Sequence, residues 1–288
     1  FLPHLLGHEG SGTVIAVGHG VKRVKTDDRV VLHWRQAEGI QAAPPVYGWN
    51  GRTVNAGWVT TFNNYAVVSE NRLTPIPREV DLRLAPLFGC AVMTGTGAAM
   101  NTANVRPGQS VAVFGMGGVG LSAVMGAKAC AAGQLIAVDV LEHKLEIARE
   151  LGATHMINAN ECNPVEVIRD LTNGGVEIAI ESVGNATVLA QAYESTMRGG
   201  TTVAVGLPHP QHDLKIPAVT LSAEEKTLKG SYQGSCVPSR DIPRFIELFR
   251  AGQLPVEKLL TSIIPLEDIN IGFDRLHHGE VARQVILF

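Results

Sequence analysis

Val111-Ala112-Val113-Phe114-Gly115-Met116-Gly117-Gly118-Val119-Gly120 decides the fold. A short β-branched run ends on a glycine and passes at once into Leu121 to Ala132, a helix-compatible segment. Each glycine of this GxGxxG pattern has its own reason. Gly115 permits a tight turn, Gly117 lets the backbone approach a pyrophosphate, and Gly120 lets the helix pack close on the strand. Gly118 and Val119 fill the first helical turn, whose unpaired N–H groups and dipole would face the anion. About 20 residues further on, Asp139 ends the next apolar run, Leu135 to Val140, where a carboxylate accepts hydrogen bonds from the adenosine ribose. The same carboxylate repels a 2′-phosphate, so the pattern points to NAD rather than NADP. Lys144, on the helical stretch Glu142 to Leu151, is placed to reach that ribose.

Outward from this turn, short apolar strands alternate with helical segments, the signature of βαβ units and a parallel sheet. Predicted strands are Ser110 to Phe114, Leu135 to Val140, His155 to Asn158, Val176 to Glu181, Thr201 to Gly206 and Thr227 to Tyr232, with a helix over Ala186 to Met197. The opening third reads as all-β. Gly12 to Val17, Asp28 to Leu32 and Phe62 to Val68 are predicted strands, and His33 to Thr60 between them is a long loop holding all three tryptophans. Arg240 to Ala251 reads as an amphipathic helix and Gln284 to Phe288 as a last strand.

A chain of 288 residues is long enough for two domains, and its net charge of −3 supplies no positive field for nucleic acid or an anionic membrane surface. Leu84 to Val105 and Pro107 to Ala127 are uncharged and long enough to span a bilayer. The first carries Thr94, Thr96, Asn101, Thr102 and Asn104, and the second contains the glycine turn, so both read as buried core of a soluble protein. No secretory leader pattern opens the chain, and its four cysteines form no CxxC pair, which together predict a reducing, cytoplasmic setting. Cys130, Cys162 and Cys236 are predicted packing residues. Cys90, in Phe88-Gly89-Cys90, and the Gly7-His8-Glu9-Gly10 turn are candidates for a metal site, although each alone is a weak signal: a lone histidine is more often structural than a ligand, and Cys90 has the apolar setting of a packing residue.

Taken in order, Gly7-His8-Glu9-Gly10-Ser11-Gly12, Gly89-Cys90 with Thr94-Gly95, the glycine turn with Asp139, and Val205-Gly206-Leu207-Pro208 resemble the zinc-dependent medium-chain alcohol dehydrogenases. The resemblance runs to the closing Gly279 to Phe288. It implies an α/β fold, a doubly wound Rossmann sheet plus a GroES-like β-barrel, divided as residues 1–91, 92–233 and a C-terminal return to the first domain over 234–288. It implies that His8 and Cys90 ligate a catalytic zinc with Glu9 beside them, and that the third ligand, a cysteine, lies upstream of residue 1. It further implies that Thr94, Val119, Val183 and Val205 lie against the nicotinamide and that Arg283 reaches the pyrophosphate. The expected substrate is a small alcohol or its carbonyl, and the expected assembly is a homodimer or homotetramer formed through the sheet edge near Thr220 to Tyr232. No structural zinc is expected, because the four-cysteine lobe of many relatives is replaced by the tryptophan-rich segment. Two alternatives remain open on sequence: a zinc-free quinone or enoyl reductase of the same superfamily, and a dinucleotide-binding protein without turnover.

Overall fold

The computed structural model describes residues 2–288, which form two compact units. The first contains the chain up to Met93 together with Val237–Ala251 and Val256–Phe288, and the second contains Thr94–Cys236 and Gly252–Pro255.

In the first unit, β1 (Gly10–Thr13), β2 (Arg29–Leu32) and β5 (Leu73–Pro75) form an antiparallel sheet with β2 central. Val24, Val30, Leu32 and Val59 are its buried core. The predicted strand Gly12 to Val17 is shorter than expected. The chain leaves the ladder at Val14, whose N–H and C=O close onto Asp28 and Asp27, and Ile15 and Val17 are exposed. The predicted strand Phe62 to Val68 is absent. A strand needs a partner for its backbone groups, and Tyr65 and Val67 instead stand in solvent, with the Val67 N–H donating to the Tyr47 hydroxyl. These residues, β1 and Phe273 border a cavity of about 1020 Å³ within the unit.

The segment His33 to Thr60 is also more ordered than its composition suggests. It contains a hairpin, β3 (Val46–Trp49) and β4 (Arg52–Asn55), whose Asn50 and Gly51 both have positive φ, the backbone that a two-residue hairpin turn demands. Arg72 lies over the Trp58 ring at 5.3 Å and donates to the Trp34 carbonyl, while Trp49 is exposed. The buried carboxylate of Glu70 accepts from the backbone N–H groups of Lys22, Arg23 and Ile40, tying the loop to the preceding turn. Later in the chain, α7 (Pro238–Arg250) packs against β5, and β12 (Leu260–Ile264) pairs in parallel with β13 (Arg283–Ile286), the two strands being joined through α8 (Ile269–His277).

The second unit is a six-stranded, all-parallel sheet made of β6 (Ser110–Phe114), β7 (Gln134–Asp139), β8 (His155–Asn158), β9 (Val176–Glu181), β10 (Thr196–Ala204) and β11 (Thr227–Gly230). Its spatial order is β8-β7-β6-β9-β10-β11, so the winding reverses between β6 and β9. That reversal defines the doubly wound α/β sheet. Val111, Ala112, Val113, Ala179 and Ile180 are wholly buried, as strands covered on both faces require. Helices α2 (Gly118–Ala129), α3 (Glu142–Glu150), α4 (Pro164–Thr172) and α5 (Ala186–Glu194) supply the crossovers, and α6 (Ala218–Ala223) precedes β11. The helix predicted to Met197 stops at Glu194, because the backbone from Thr196 already belongs to β10. Of the three cysteines expected to be packing residues, Cys236 is buried and Cys130 half-buried, but Cys162 is exposed on the turn before α4. Among the described residues no helix is long and apolar enough to cross a membrane.

Candidate active site

Two groups of predicted residues assemble, one in each unit. In the first, ring nitrogen of His8, carboxylate oxygen of Glu9 and Sγ of Cys90 all lie within 4.8 Å of one another. The backbone explains how residues so far apart in sequence meet. Gly10 of β1 stands opposite Leu32 of β2, which hangs the preceding His8 and Glu9 from that end of the sheet. Gly7 turns the chain there with φ of 87°, and a side chain at this position would collide with Thr61. Cys90 arrives by a different route. The short 3-10 turn Ala85–Gly89 brings Gly89 against the Leu32 carbonyl so closely that a Cβ would overlap it, and Cys90 then leads into α1 (Ala91–Gly97). Thus both arms converge on Leu32, and only glycine can make the second approach. Arg283 of β13 points its Nη1 to the Glu9 carboxylate at 3.4 Å, a contact that the sequence reading did not foresee.

In the second unit, β6 ends at Phe114 and the chain turns through Gly115 with φ of 90°. A Cβ on Gly120 would overlap the Gly115 carbonyl, whereas one on Gly117 would meet nothing within 4 Å. The third glycine therefore serves helix–strand packing, and the second faces open space. The cap of α2 at Gly117 has no side-chain partner, leaving the helix start presented outward. Gly118 and Val119 form that first turn, and Gly95 packs against the Val119 carbonyl, which sets the buried Thr94 beside it.

Asp139 is at the end of β7, as expected. One carboxylate oxygen accepts from the Met116 N–H at 2.5 Å and the other from the Val140 and Leu141 N–H groups at 2.8 and 3.0 Å. A carboxylate offers about four acceptor positions, so capacity remains for a hydroxyl. Lys144 is half-buried on the first turn of α3. Val183, half-exposed, reaches toward Gly115 with Cγ2, and Val205 is buried just beyond β10. Two further residues were not apparent in the sequence. Ser182 donates its hydroxyl toward the Phe114 and Gly115 carbonyls at 3.0 Å each, and the Glu181 carboxylate is buried behind the adjoining turn. A polar pair straddling the end of a predicted strand was the available signal, but nothing in a single sequence says which carboxylates are buried.

Residues 1–78 match the alcohol dehydrogenase GroES-like domain, and residues 118–251 match the zinc-binding dehydrogenase domain. The chain is 34% identical over 317 residues to geraniol dehydrogenase of Castellaniella defragrans, covering 100% of this chain and 84% of that protein. The chain belongs to the zinc-dependent medium-chain alcohol dehydrogenase family. Another member, S-(hydroxymethyl)glutathione dehydrogenase of Haemophilus influenzae, is 33% identical over 99% of this chain and 82% of its own length. Among solved structures, benzyl alcohol dehydrogenase from Acinetobacter calcoaceticus superposes with a TM-score of 0.89 at 31% identity, over 99% of this chain and 84% of that one. The family accounts for both units at once, the GroES-like part and the Rossmann sheet.

Proposed function

We propose that this protein is a zinc-dependent, NAD-linked alcohol dehydrogenase that interconverts a small primary or secondary alcohol with its aldehyde or ketone. The observation that carries the reading is the convergence of an imidazole, a carboxylate and a thiol within 4.8 Å. These are the ligand types that zinc takes in proteins, and a catalytic site keeps one position open for substrate. His8 and Cys90 would hold the ion, and Glu9, steadied by Arg283, would stand beside it as a third donor or a neighbour.

NAD fits the second unit. The open face at Gly117 and the outward helix start suit a pyrophosphate, and the spare capacity of Asp139 suits a ribose hydroxyl while its charge opposes a 2′-phosphate. When bound, zinc supplies a Lewis acid toward the alcohol oxygen, and NAD supplies the hydride acceptor. The chain's own contribution is to present the two protein donors from rigid turns and to hold the glycine turn open for the cofactor.

The test uses the full-length protein. Stoichiometric zinc, alcohol-dependent reduction of NAD, and loss of both in Cys90→Ala are the expected results. Sub-stoichiometric zinc with activity undiminished by a chelator would refute the metal-dependent reading in favour of a zinc-free reductase. NADH binding without oxidation of any alcohol in a broad panel would refute turnover.

A further inference from the structure

Glu181 is the last residue of β9 and is 1% exposed. It stands in register with Phe114 of β6 on one side and Ala204 of β10 on the other. Its Oε1 accepts from the backbone N–H groups of Val183 at 2.7 Å and Gly184 at 2.6 Å, with Asn185 at 3.4 Å. Its main-chain carbonyl accepts from Val205 and Gly206 at 2.8 and 3.1 Å. Its Oε2 lies 3.0 Å from where a Cβ on Gly206 would be. The two turns interlock behind it, since that same Cβ would overlap the Gly184 amide, and Gly184 itself has φ of 80°. Glu181 therefore closes a joint between the two turns, its carboxylate gripping the turn after β9 and lying against Gly206, and its main-chain carbonyl holding the turn after β10.

A buried carboxylate is costly unless its acceptors are used. Burial outweighs the backbone N–H donors and pushes the Glu181 carboxyl above the usual carboxylate range. Packing alone would be served by an apolar residue. The location says what the clasp holds. The sheet reverses its winding between β6 and β9, and a dinucleotide lies in the crevice at the carboxyl ends of the strands at such a point. With the pyrophosphate over the start of α2 and the adenosine ribose at Asp139 on the β7 side, the remaining half of the cofactor falls over the ends of β9 and β10. Those ends carry Val183, which packs toward Gly115, and Val205.

We propose that Glu181 is a positioning residue for the nicotinamide half of the cofactor, its buried carboxylate fixing the Val183–Asn185 turn against the Val205–Gly206 turn at the spacing that receives the pyridine ring. The inference rests on the NAD reading above. Glu181→Gln keeps the size and one acceptor but turns a donor toward Gly206. Titration of the full-length protein with NADH, followed by cofactor fluorescence, is expected to give a dissociation constant raised about tenfold. ADP-ribose, which lacks the nicotinamide, is expected to bind the variant as it binds wild type when titrated calorimetrically. Equal weakening of both ligands, or none for NADH, would overturn the proposal. Should Glu181→Gln fail to fold, Glu181→Asp retains the charge and shortens the reach by one methylene. The same selective loss is expected there, and unselective or absent loss refutes it. A wild-type protein that binds neither ligand would instead refute the dinucleotide reading itself, and the proposal with it.

Discussion

His33 should make the first unit sensitive to mild acid. Its ring is wholly buried, with Nδ1 donating to the Arg35 carbonyl at 2.7 Å, which leaves Nε2 to accept from the Thr74 hydroxyl at 2.9 Å. A second proton could be shared with the Thr74 hydroxyl once that group turns round, but the charge it brings would be buried away from water. Burial, and to a lesser extent the nearby Arg72 charge, bring the pKa down from 6.5 to about 4. In the unfolded chain the ring binds its proton near 6.5, so between these values the unfolded state takes up protons that the folded state refuses. His33 therefore contributes no acid penalty above 6.5, and stability falls as pH drops toward 4. At about 1.4 kcal/mol per unit, the loss at about pH 5 is roughly 2 kcal/mol, and about 3 kcal/mol once pH is below both values. Urea unfolding followed by tryptophan fluorescence measures it, because Trp34, Trp49 and Trp58 all belong to this unit. Comparison with His33→Gln removes the contribution of every other titrating group. The variant should be less stable at neutral pH yet lose about 2 kcal/mol less than wild type on acidification to about pH 5. Parallel losses in the two proteins would refute the assignment of the acid sensitivity to this ring.

The glycines of the nucleotide turn should separate by consequence. Gly120→Ala drives a Cβ into the Gly115 carbonyl, which is backbone and cannot swing aside, so a loss of about 2 kcal/mol or more in thermal or urea unfolding is expected together with loss of NADH binding. Gly117→Ala meets no atom and should leave unfolding unchanged while weakening NADH, since the added methyl fills the space before the helix start. Glu70→Ala leaves three backbone N–H groups without their carboxylate and should lower stability by about 2 kcal/mol, with faster amide exchange at Lys22, Arg23 and Ile40.

The glycine turn, the alternation of strands and helices after Pro107, and the carboxylate at Asp139 were legible because each is a local pattern. Turn geometry and side-chain period act over a few residues, so a linear reading captures them. The same locality explains the misses. Phe62 to Val68 has the composition of a strand but finds no neighbouring strand to pair with, and strand formation is a property of two segments. The hairpin Val46 to Asn55 hides inside a stretch without clear periodicity, held by a turn of two left-handed residues. Cys162, placed among the packing residues by type, is exposed on the turn before α4.

For the site, the residue types and their order carried the family resemblance, and with it His8 and Cys90 as partners. That they meet was decided in three dimensions, by the pairing of Gly10 with Leu32 and by the bare backbone of Gly89 pressing on the Leu32 carbonyl. Arg283 on Glu9 and the clasp of Glu181 likewise exist only after folding. A carboxylate's burial and the amides it faces depend on segments far apart in the chain, and no short-range pattern encodes them.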